Sequence, residues 1–216
     1  MDLYPIVKKN PVLAIFRNIP SEILLDYADA VIEGGISFFE VALNSKDSLA
    51  QIRTLRSHCK DNCFIGAGTA ITPQLAQAAM EAGAQFLLTP GTPISVLEYC
   101  SKHDIPLLPG VYTPGDVAVC LQYGYKTMKL FPAQCVPDNY VKALKGPFDD
   151  TNYVAIGGVT MDNISDFLKK GYSGAGLSSN LMPKEILKAR DWAAGAAYIK
   201  NCLSKLNPSY TVKGGY

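Results

Sequence analysis

Eight short apolar runs recur along the sequence, and each is followed by an amphipathic stretch with helical periodicity. They occupy residues 11–18, 38–43, 64–69, 86–91, 106–111, 127–132, 153–158 and 173–179. Their even spacing fits one strand and one helix per unit, because parallel strands need a long crossover between them. Eight such units predict an α/β fold, a (β/α)8 TIM barrel that spans residues 1–216 as a single domain.

An open, doubly wound sheet is the main alternative for this alternation of strands and helices. However, no G-x-G-x-x-G motif follows the first run, and eight evenly spaced units favour a closed barrel. We expect residues 2–9 to form a short N-terminal lid helix, whereas the polar tail at 207–216 carries no interpretable signal.

Turn residues predict several helix boundaries. A threonine before a proline places a capping hydroxyl just ahead of the first helical position, and such pairs begin at Thr72, Thr92 and Thr113. A glycine in the left-handed conformation commonly follows the last turn of a helix. Helix ends are therefore predicted at Gly35, Gly83, Gly124 and Gly171.

Composition excludes several classes of function. Twenty Lys plus Arg residues nearly balance nineteen Asp plus Glu, and neither sign forms a block, so neither nucleic acid nor a membrane surface is predicted as a partner. No uncharged run is apolar enough for a membrane-spanning helix or a signal peptide. The six cysteines form no C-x-x-C pair, and no metal site is predicted. We therefore expect a cytoplasmic protein that acts on small molecules.

Three ionisable residues fall within the predicted strand runs, where charge is unexpected: Arg17, Glu40 and Lys129. Side chains alternate between the two faces of a strand, so Glu40 and Lys129 are predicted to point into the barrel while their apolar neighbours face the helices. Arg17 takes the last interior position of the first run. Because active sites of such barrels lie at the carboxyl ends of the strands, we expect all three to converge there.

The buried acid and base admit two interpretations. Glu40 and Lys129 form either a structural ion pair or a catalytic pair, in which Lys129 is a nucleophilic amine and Glu40 transfers protons. Burying two charges is costly and seldom stabilising, which favours catalysis. Desolvation lowers the pKa of a buried lysine, a nearby carboxylate raises it, and a cation such as Arg17 lowers it again. In the catalytic interpretation, the Lys129 amine forms a Schiff base with a carbonyl substrate.

Glycines and serines form a second candidate site near the end of the barrel. Gly157 and Gly158 end the seventh run, and the eighth run leads into Ser178 and Ser179. Loops after the last two strands of such barrels commonly bind phosphate through backbone amides, without any basic side chain. The alternative is that these glycines only permit tight packing at a barrel corner.

Six motifs together carry a resemblance to known proteins. They are Phe39-Glu40-Val41, Gly66-Ala67-Gly68-Thr69, Thr89-Pro90-Gly91, Pro109-Gly110-Val111, Met128-Lys129-Leu130-Phe131-Pro132 and Gly157-Gly158-Val159. With these motifs, nearly the whole chain resembles the class I aldolases of 2-keto-3-deoxy-6-phosphogluconate and its galactonate epimer. Members of this family cleave the sugar acid to pyruvate and glyceraldehyde 3-phosphate.

The resemblance implies roles for individual residues. Lys129 is expected to form the Schiff base and Glu40 to act as the general acid–base. The pyruvate pocket is expected to be shaped by Thr69, Pro90 and Phe131, and the phosphate to be bound by Gly157, Gly158, Ser178 and Ser179. The resemblance also implies no metal, no cofactor and a homotrimer, with pyruvate and a phosphorylated keto sugar acid as ligands.

The sequence departs from the family pattern at Asn44, a further substrate-binding candidate. Gluconate-type members carry an arginine there that helps hold the substrate carboxylate, and Arg17 is expected to replace it. Gluconate-type members also tend to carry a threonine where this chain has Ile156, so Asn44 and Ile156 make the chain more similar to the galactonate-type enzymes. The alternatives are a 4-hydroxy-2-oxoglutarate aldolase, a phosphosugar isomerase or epimerase, and a non-catalytic phosphosugar-binding barrel.

Overall fold

The computed structural model describes residues 2–178 and 180–206, so Ser179 and the tail at 207–216 lie outside the described residues. Nine strand segments are present within them: β1 (Val12–Phe16), β2 (Phe38–Ala42), β3 (Phe64–Gly68), β4 (Leu87–Leu88), β5 (Leu107–Leu108), β6 (Gly110–Val111), β7 (Thr127–Leu130), β8 (Asn152–Ile156) and β9 (Gly174–Leu177). They form one parallel sheet in the order β5-β4-β3-β2-β1-β9-β8-β7-β6.

Ten α-helices accompany these strands in the described part of the chain, together with short 3-10 turns at Ser21–Ile23 and Ala133–Cys135. The α-helices are α1 (Tyr4–Lys9), α2 (Leu24–Glu33), α3 (Ser48–Cys59), α4 (Pro73–Glu81), α5 (Ile94–Lys102), α6 (Pro114–Gln122), α7 (Tyr140–Lys145), α8 (Ile164–Lys169), α9 (Lys184–Ala189) and α10 (Trp192–Leu206). Strands and helices alternate along the chain, and the sheet curls into a barrel. The predicted (β/α)8 architecture with a short N-terminal helix is therefore confirmed.

The barrel closes through its fifth strand, which is split into β5 and β6. β5 pairs with β4 and β6 pairs with β7, while Pro109, which has no amide hydrogen, lies between the two segments. The buried hydroxyl of Thr89 spans the interruption. It donates to the carbonyl of Gly91 (2.6 Å) and accepts from the amide of Gly110 (3.0 Å). A side-chain hydrogen bond thus supports closure where the strand is broken.

Two apolar cores lie on opposite faces of the sheet. The larger core lies between strands and helices and includes Met128 and Leu130, the chain neighbours of Lys129. The smaller core fills the barrel interior, where Leu13 and Ile15 of β1 pack with residues of other strands. The alternation predicted from the sequence is therefore confirmed, and it turns every second strand residue into the barrel.

Helix α1 closes the amino-terminal end of the barrel. Leu3 and Val7 are fully buried members of the interior core, and Val7 lies against Gly174, the first residue of β9. The expected lid helix is thus present, and it plugs the end of the barrel at which the strands begin. Among the described residues, no helix combines the length and apolar character needed to cross a bilayer.

Two of the three threonine–proline helix starts are confirmed, because the hydroxyls of Thr72 and Thr113 accept hydrogen bonds from amides in the first turns of α4 and α6. The prediction for Thr92 is wrong. Helix α5 begins at Ile94, and the Thr92 hydroxyl instead donates to the carbonyl of Gly110 (2.7 Å). The Thr92 hydroxyl therefore bonds to the split fifth strand and does not cap a helix.

The glycines predicted at helix ends all have positive φ: Gly35, Gly83, Gly124 and Gly171.

Candidate active site at the carboxyl ends of the strands

A cavity of ≈ 380 Å³ opens at the carboxyl ends of the strands, away from α1. Its lining comes from seven of the strands or the loops that follow them: Ile15, Arg17, Glu40, Thr69, Pro90, Lys129, Phe131, Ile156, Gly157, Gly158, Val159, Gly176, Ser178 and Asn180. The cavity therefore brings together the predicted site residues, apart from Asn44 and Ser179.

Lys129 lies inside the barrel on β7 and is 5% exposed. Burial lowers the pKa of Lys129, the negative charge of Glu40 raises it, and the positive charge of Arg17 lowers it; the net direction is downward. Within the described chain, no carboxylate lies at ion-pairing distance from Nζ, which instead lies 4.9 Å from the centre of the Phe131 ring. Burial is the largest cause of the lowered pKa, so the neutral, nucleophilic form of this amine is more populated than that of an exposed lysine.

Glu40 lies inside the barrel on β2 and is 1% exposed. Burial raises the pKa of Glu40, while the positive charges of Lys129 and Arg17 lower it; the net direction is upward. Its Oε2 atom has no hydrogen-bond partner among the described residues. A buried carboxyl group with a raised pKa and a free oxygen that lines a cavity is suited to accept and return a proton.

Arg17 follows β1 and is an exposed residue at the rim of the cavity. Its guanidinium makes no ion pair within the described part of the chain, so it is available to an anionic ligand. The backbone beside it is held firmly: the amide of Asn18, which has φ +55°, donates to Ser45 Oγ (3.0 Å). The next carbonyl, that of Ile19, accepts from Gln51 Nε2 (2.8 Å). These contacts set the direction in which Arg17 leaves the strand.

Three residues from separate loops form the wall around the Lys129 amine. Thr69 has φ +63°, a strained conformation for a β-branched residue, of the kind that is often retained at functional sites. Pro90 is half-buried, and Phe131 is 37% exposed with its ring beside Lys129. The walls are therefore largely apolar around a small number of polar groups, as in most small-molecule sites.

The predicted phosphate corner lies on the same cavity. Gly157 and Gly158 have φ values of +96° and +80°, a conformation that favours glycine, and both line the cavity with Ser178. A turn of this kind presents successive backbone amides to one side, which makes a concave anion site. No structure is assigned to Ser179, the fourth predicted phosphate ligand, because it lies outside the described residues.

Asn44 lies in an exposed turn after β2 and is not among the cavity-lining residues of the described chain. The sequence interpretation also left four lining residues out of the predicted site: Ile15, Val159, Gly176 and Asn180. Val159 directly follows the glycine pair in the Gly157-Gly158-Val159 motif, and this position in the sequence could have identified it as a lining residue. Asn180 follows the serine pair and had no signal beyond proximity.

Comparison with known proteins gives consistent results over most of the chain. A protein-family model described as KDPG and KHG aldolase matches residues 4–197. The 2-dehydro-3-deoxy-phosphogluconate aldolase of Pseudomonas aeruginosa is 34% identical over 184 residues, which cover 85% of this chain and 82% of that protein. The 2-dehydro-3-deoxy-6-phosphogalactonate aldolase of Escherichia coli K12 is 31% identical over 193 residues, which cover 89% and 94%.

A solved structure shows the same fold. The KDPG aldolase of Legionella pneumophila, with pyruvate captured at low pH as a covalent carbinolamine intermediate, aligns with a TM-score of 0.84 and 28% identity. The alignment covers 92% of this chain and 97% of that chain. The likeness therefore extends over the whole barrel and includes a relative in which pyruvate is bound covalently.

Proposed function

This chain belongs to the KDPG and KHG aldolase family, and on that basis we propose that it cleaves 2-keto-3-deoxy-6-phosphogluconate or its galactonate epimer to pyruvate and glyceraldehyde 3-phosphate. The observation that carries the proposal is the buried Lys129 amine, which shares a cavity with Glu40 and with the guanidinium of Arg17, a group that has no ion-pair partner among the described residues. A carbonyl compound with a carboxylate at one end matches these three groups.

The reaction begins with attack of Lys129 Nζ on the C2 ketone. The carbinolamine loses water to give an iminium, which draws electrons from the neighbouring carbons. Glu40 takes the proton of the C4 hydroxyl, the C3–C4 bond breaks, and its electron pair forms an enamine as glyceraldehyde 3-phosphate leaves. Glu40 then returns the proton to C3, and water hydrolyses the iminium to pyruvate and the free amine.

The directions of the two pKa shifts suit these steps. A lowered pKa of Lys129 increases the neutral fraction that can attack the ketone. The raised pKa of Glu40 lies closer to neutral pH than that of an exposed carboxyl group, so Glu40 can both accept and return a proton. Because burial is the largest cause of both shifts, the closed interior of the barrel is what activates the pair.

The two ends of the substrate are held by different parts of the cavity in this proposal. Arg17 binds the carboxylate, for which a guanidinium offers two parallel hydrogen bonds. Gly157, Gly158 and Ser178 bind the phosphate from the other wall, with Ser179 as a further predicted ligand. Binding energy from both ends aligns the C3–C4 bond with Lys129 and Glu40.

Borohydride trapping of pyruvate tests the covalent step without requiring the correct sugar epimer. We expect reduction of the iminium in the presence of pyruvate to leave an N-(1-carboxyethyl) adduct on Lys129, found by peptide mass mapping. Lys126→Ala is the control. Lys126 is an exposed lysine that directly precedes β7 and pairs with Asp150, so this variant is expected to retain the adduct. Lys129→Met is expected to lose it. Absence of an adduct from folded wild-type protein would overturn the proposal.

A second candidate reaction is cleavage of 4-hydroxy-2-oxoglutarate, because the matching family description includes KHG aldolase and the pyruvate half of that substrate is the same. It gives glyoxylate and needs no phosphate site. The phosphate corner favours the phosphorylated substrate, and comparison of kcat/KM for the two substrates decides between them.

We also propose a homotrimer, as the resemblance implies, and a cytoplasmic location, as the composition predicts. Exposed apolar side chains beyond the strands, such as Ile71 and Ile94, supply surface that an assembly could bury. Light scattering on the purified full chain is expected to give the mass of three copies, and cell fractionation is expected to recover the protein with the cytosol. A monomer mass would contradict the assembly.

A further inference from the structure

The Gly157–Gly158 turn forms a wall between two cavities. One side is the catalytic cavity, and the other side is a second cavity of ≈ 300 Å³. Gly158 lines both cavities, whereas Gln134 and Asn163 line only the second. The side chain of Gln134 lies so close to Gly158 that a β-carbon at that position would overlap it. Residues behind the turn can therefore control what the turn presents to the substrate.

Both carbonyls of the glycine pair are held from the second cavity. The Gly157 carbonyl accepts from the backbone amide of Gln134 (3.1 Å), and the Gly158 carbonyl accepts from Asn163 Nδ2 (3.0 Å). The carboxamide of Asn163 is itself fixed, because its Oδ1 accepts from the amide of Thr160 (2.8 Å). The amide of Asn163 donates to Thr160 Oγ1 (3.2 Å) and completes the ring of contacts.

Peptide planarity converts these contacts into a direction for the amides. In a trans peptide, the carbonyl and the amide hydrogen point in opposite directions. Carbonyls drawn towards the second cavity therefore turn the amides of Gly158 and Val159 towards the catalytic cavity. Neither amide donates to a protein acceptor in the described chain, and Val159 lines the catalytic cavity.

We propose that Asn163 is a positioning residue that aims the Val159 amide at the phosphate of the substrate and so sets the preference for phosphorylated over unphosphorylated aldehydes. Asn163 touches no substrate, since it lines only the second cavity. It acts through the Gly158–Val159 peptide, whose orientation no other side chain of the described residues holds by a hydrogen bond. The inference rests on the proposed function, and it adds a specificity-determining side chain behind the phosphate turn.

The test uses condensation of pyruvate with two aldehydes that differ only by the phosphate, glyceraldehyde 3-phosphate and glyceraldehyde. For Asn163→Ala, we expect the KM for glyceraldehyde 3-phosphate to rise about tenfold, the effect of one lost hydrogen bond. The kcat/KM for glyceraldehyde and the trapping of pyruvate on Lys129 should be unchanged, because neither uses the phosphate turn. Asp138→Ala removes a carboxylate that lines the second cavity and pairs with Lys170 but leaves every contact to Gly158 and Asn163, so it should retain the wild-type ratio.

Asn163→Asp keeps the acceptor for the Thr160 amide and replaces only the donor, so it tests the inference if the alanine variant does not fold. We expect the same selective loss. Equal losses for the two aldehydes, or an unchanged ratio in both Asn163 variants, would overturn the inference while the wild-type adduct on Lys129 still supports the proposed function. Loss of that adduct from wild type would overturn the proposed function itself.

Discussion

The carboxyl group of Glu40 occupies the space that a side chain at position 68 would need. Glu40 lies on β2 and Gly68 ends the neighbouring β3, and a β-carbon on Gly68 would overlap Glu40 Oε1. Gly68 does not have a positive φ, so its backbone conformation does not require glycine. The requirement is steric, because only a residue without a β-carbon leaves room for the buried carboxyl group of Glu40. The motif around Gly68 therefore belongs to the proposed catalytic site, although glycine has no reactive side chain.

Gly68→Ala is expected to displace the Glu40 carboxyl group and to lower the kcat for cleavage. A positioned general acid–base contributes about 10²- to 10⁴-fold to the rate, so we expect a loss in that range. Pyruvate release followed with a coupled dehydrogenase measures it. Gly115→Ala is the matched control, because a β-carbon there makes only ordinary contact at 3.6 Å. Wild-type kcat in Gly68→Ala would contradict the steric argument.

Arg17 is expected to control the pH dependence of Schiff-base formation. Its positive charge lowers the pKa of Lys129 and that of Glu40. Attack needs the neutral amine, so the rate rises as pH increases through the pKa of Lys129. Arg17→Met removes the charge and raises both pKa values, which moves the acidic limb of the pH–rate profile to higher pH. The rate of borohydride trapping at saturating pyruvate, measured across pH, checks this.

The charge-preserving variant Arg17→Lys separates electrostatics from binding geometry. Lysine keeps the positive charge but cannot make the two parallel hydrogen bonds of a guanidinium. We expect the KM for pyruvate to rise while the acidic limb stays where it is in wild type. A limb that does not move in Arg17→Met would show that Arg17 has no electrostatic influence on Lys129.

Two buried threonines are expected to respond differently to replacement by valine. Thr89→Val leaves the amide of Gly110 and the carbonyl of Gly91 without their partner, so the free energy of unfolding should fall by about 1–3 kcal/mol. Thr127→Val removes a buried hydroxyl that has no partner in the described chain, so the free energy of unfolding should stay level or rise. Urea denaturation of both variants gives the comparison, and equal effects would contradict it.

Ile156 is expected to influence which epimer is cleaved. It ends β8, is 5% exposed and lines the cavity, whereas Asn44 lies in an exposed turn outside it. Ile156→Thr adds a hydroxyl next to the substrate chain and should raise kcat/KM for the gluconate epimer relative to the galactonate epimer. Val154→Thr, at an interior position away from the cavity lining, should leave the ratio unchanged. An unaltered ratio in Ile156→Thr would exclude this role.

Local alternation was sufficient to predict the barrel and the inward direction of Glu40 and Lys129. A strand exposes alternate residues to alternate faces, so a charge among inward positions can be identified from sequence spacing alone. The glycine-rich corner could be predicted for a similar reason, since loops after consecutive parallel strands lie at the same edge. These inferences needed only the order of residues within each strand and the order of the strands.

Contacts between distant strands could not be predicted in this way. The overlap of Glu40 with position 68, the Asn163 contact behind Gly158 and the Thr89 bridge across the split strand all depend on how far strands tilt and slide as the barrel closes. The same closure leaves Asn44 outside the cavity. Periodicity along the chain determines which way a side chain points, but only the closed tertiary structure decides which other side chain it meets, because that distance is set by every strand between them.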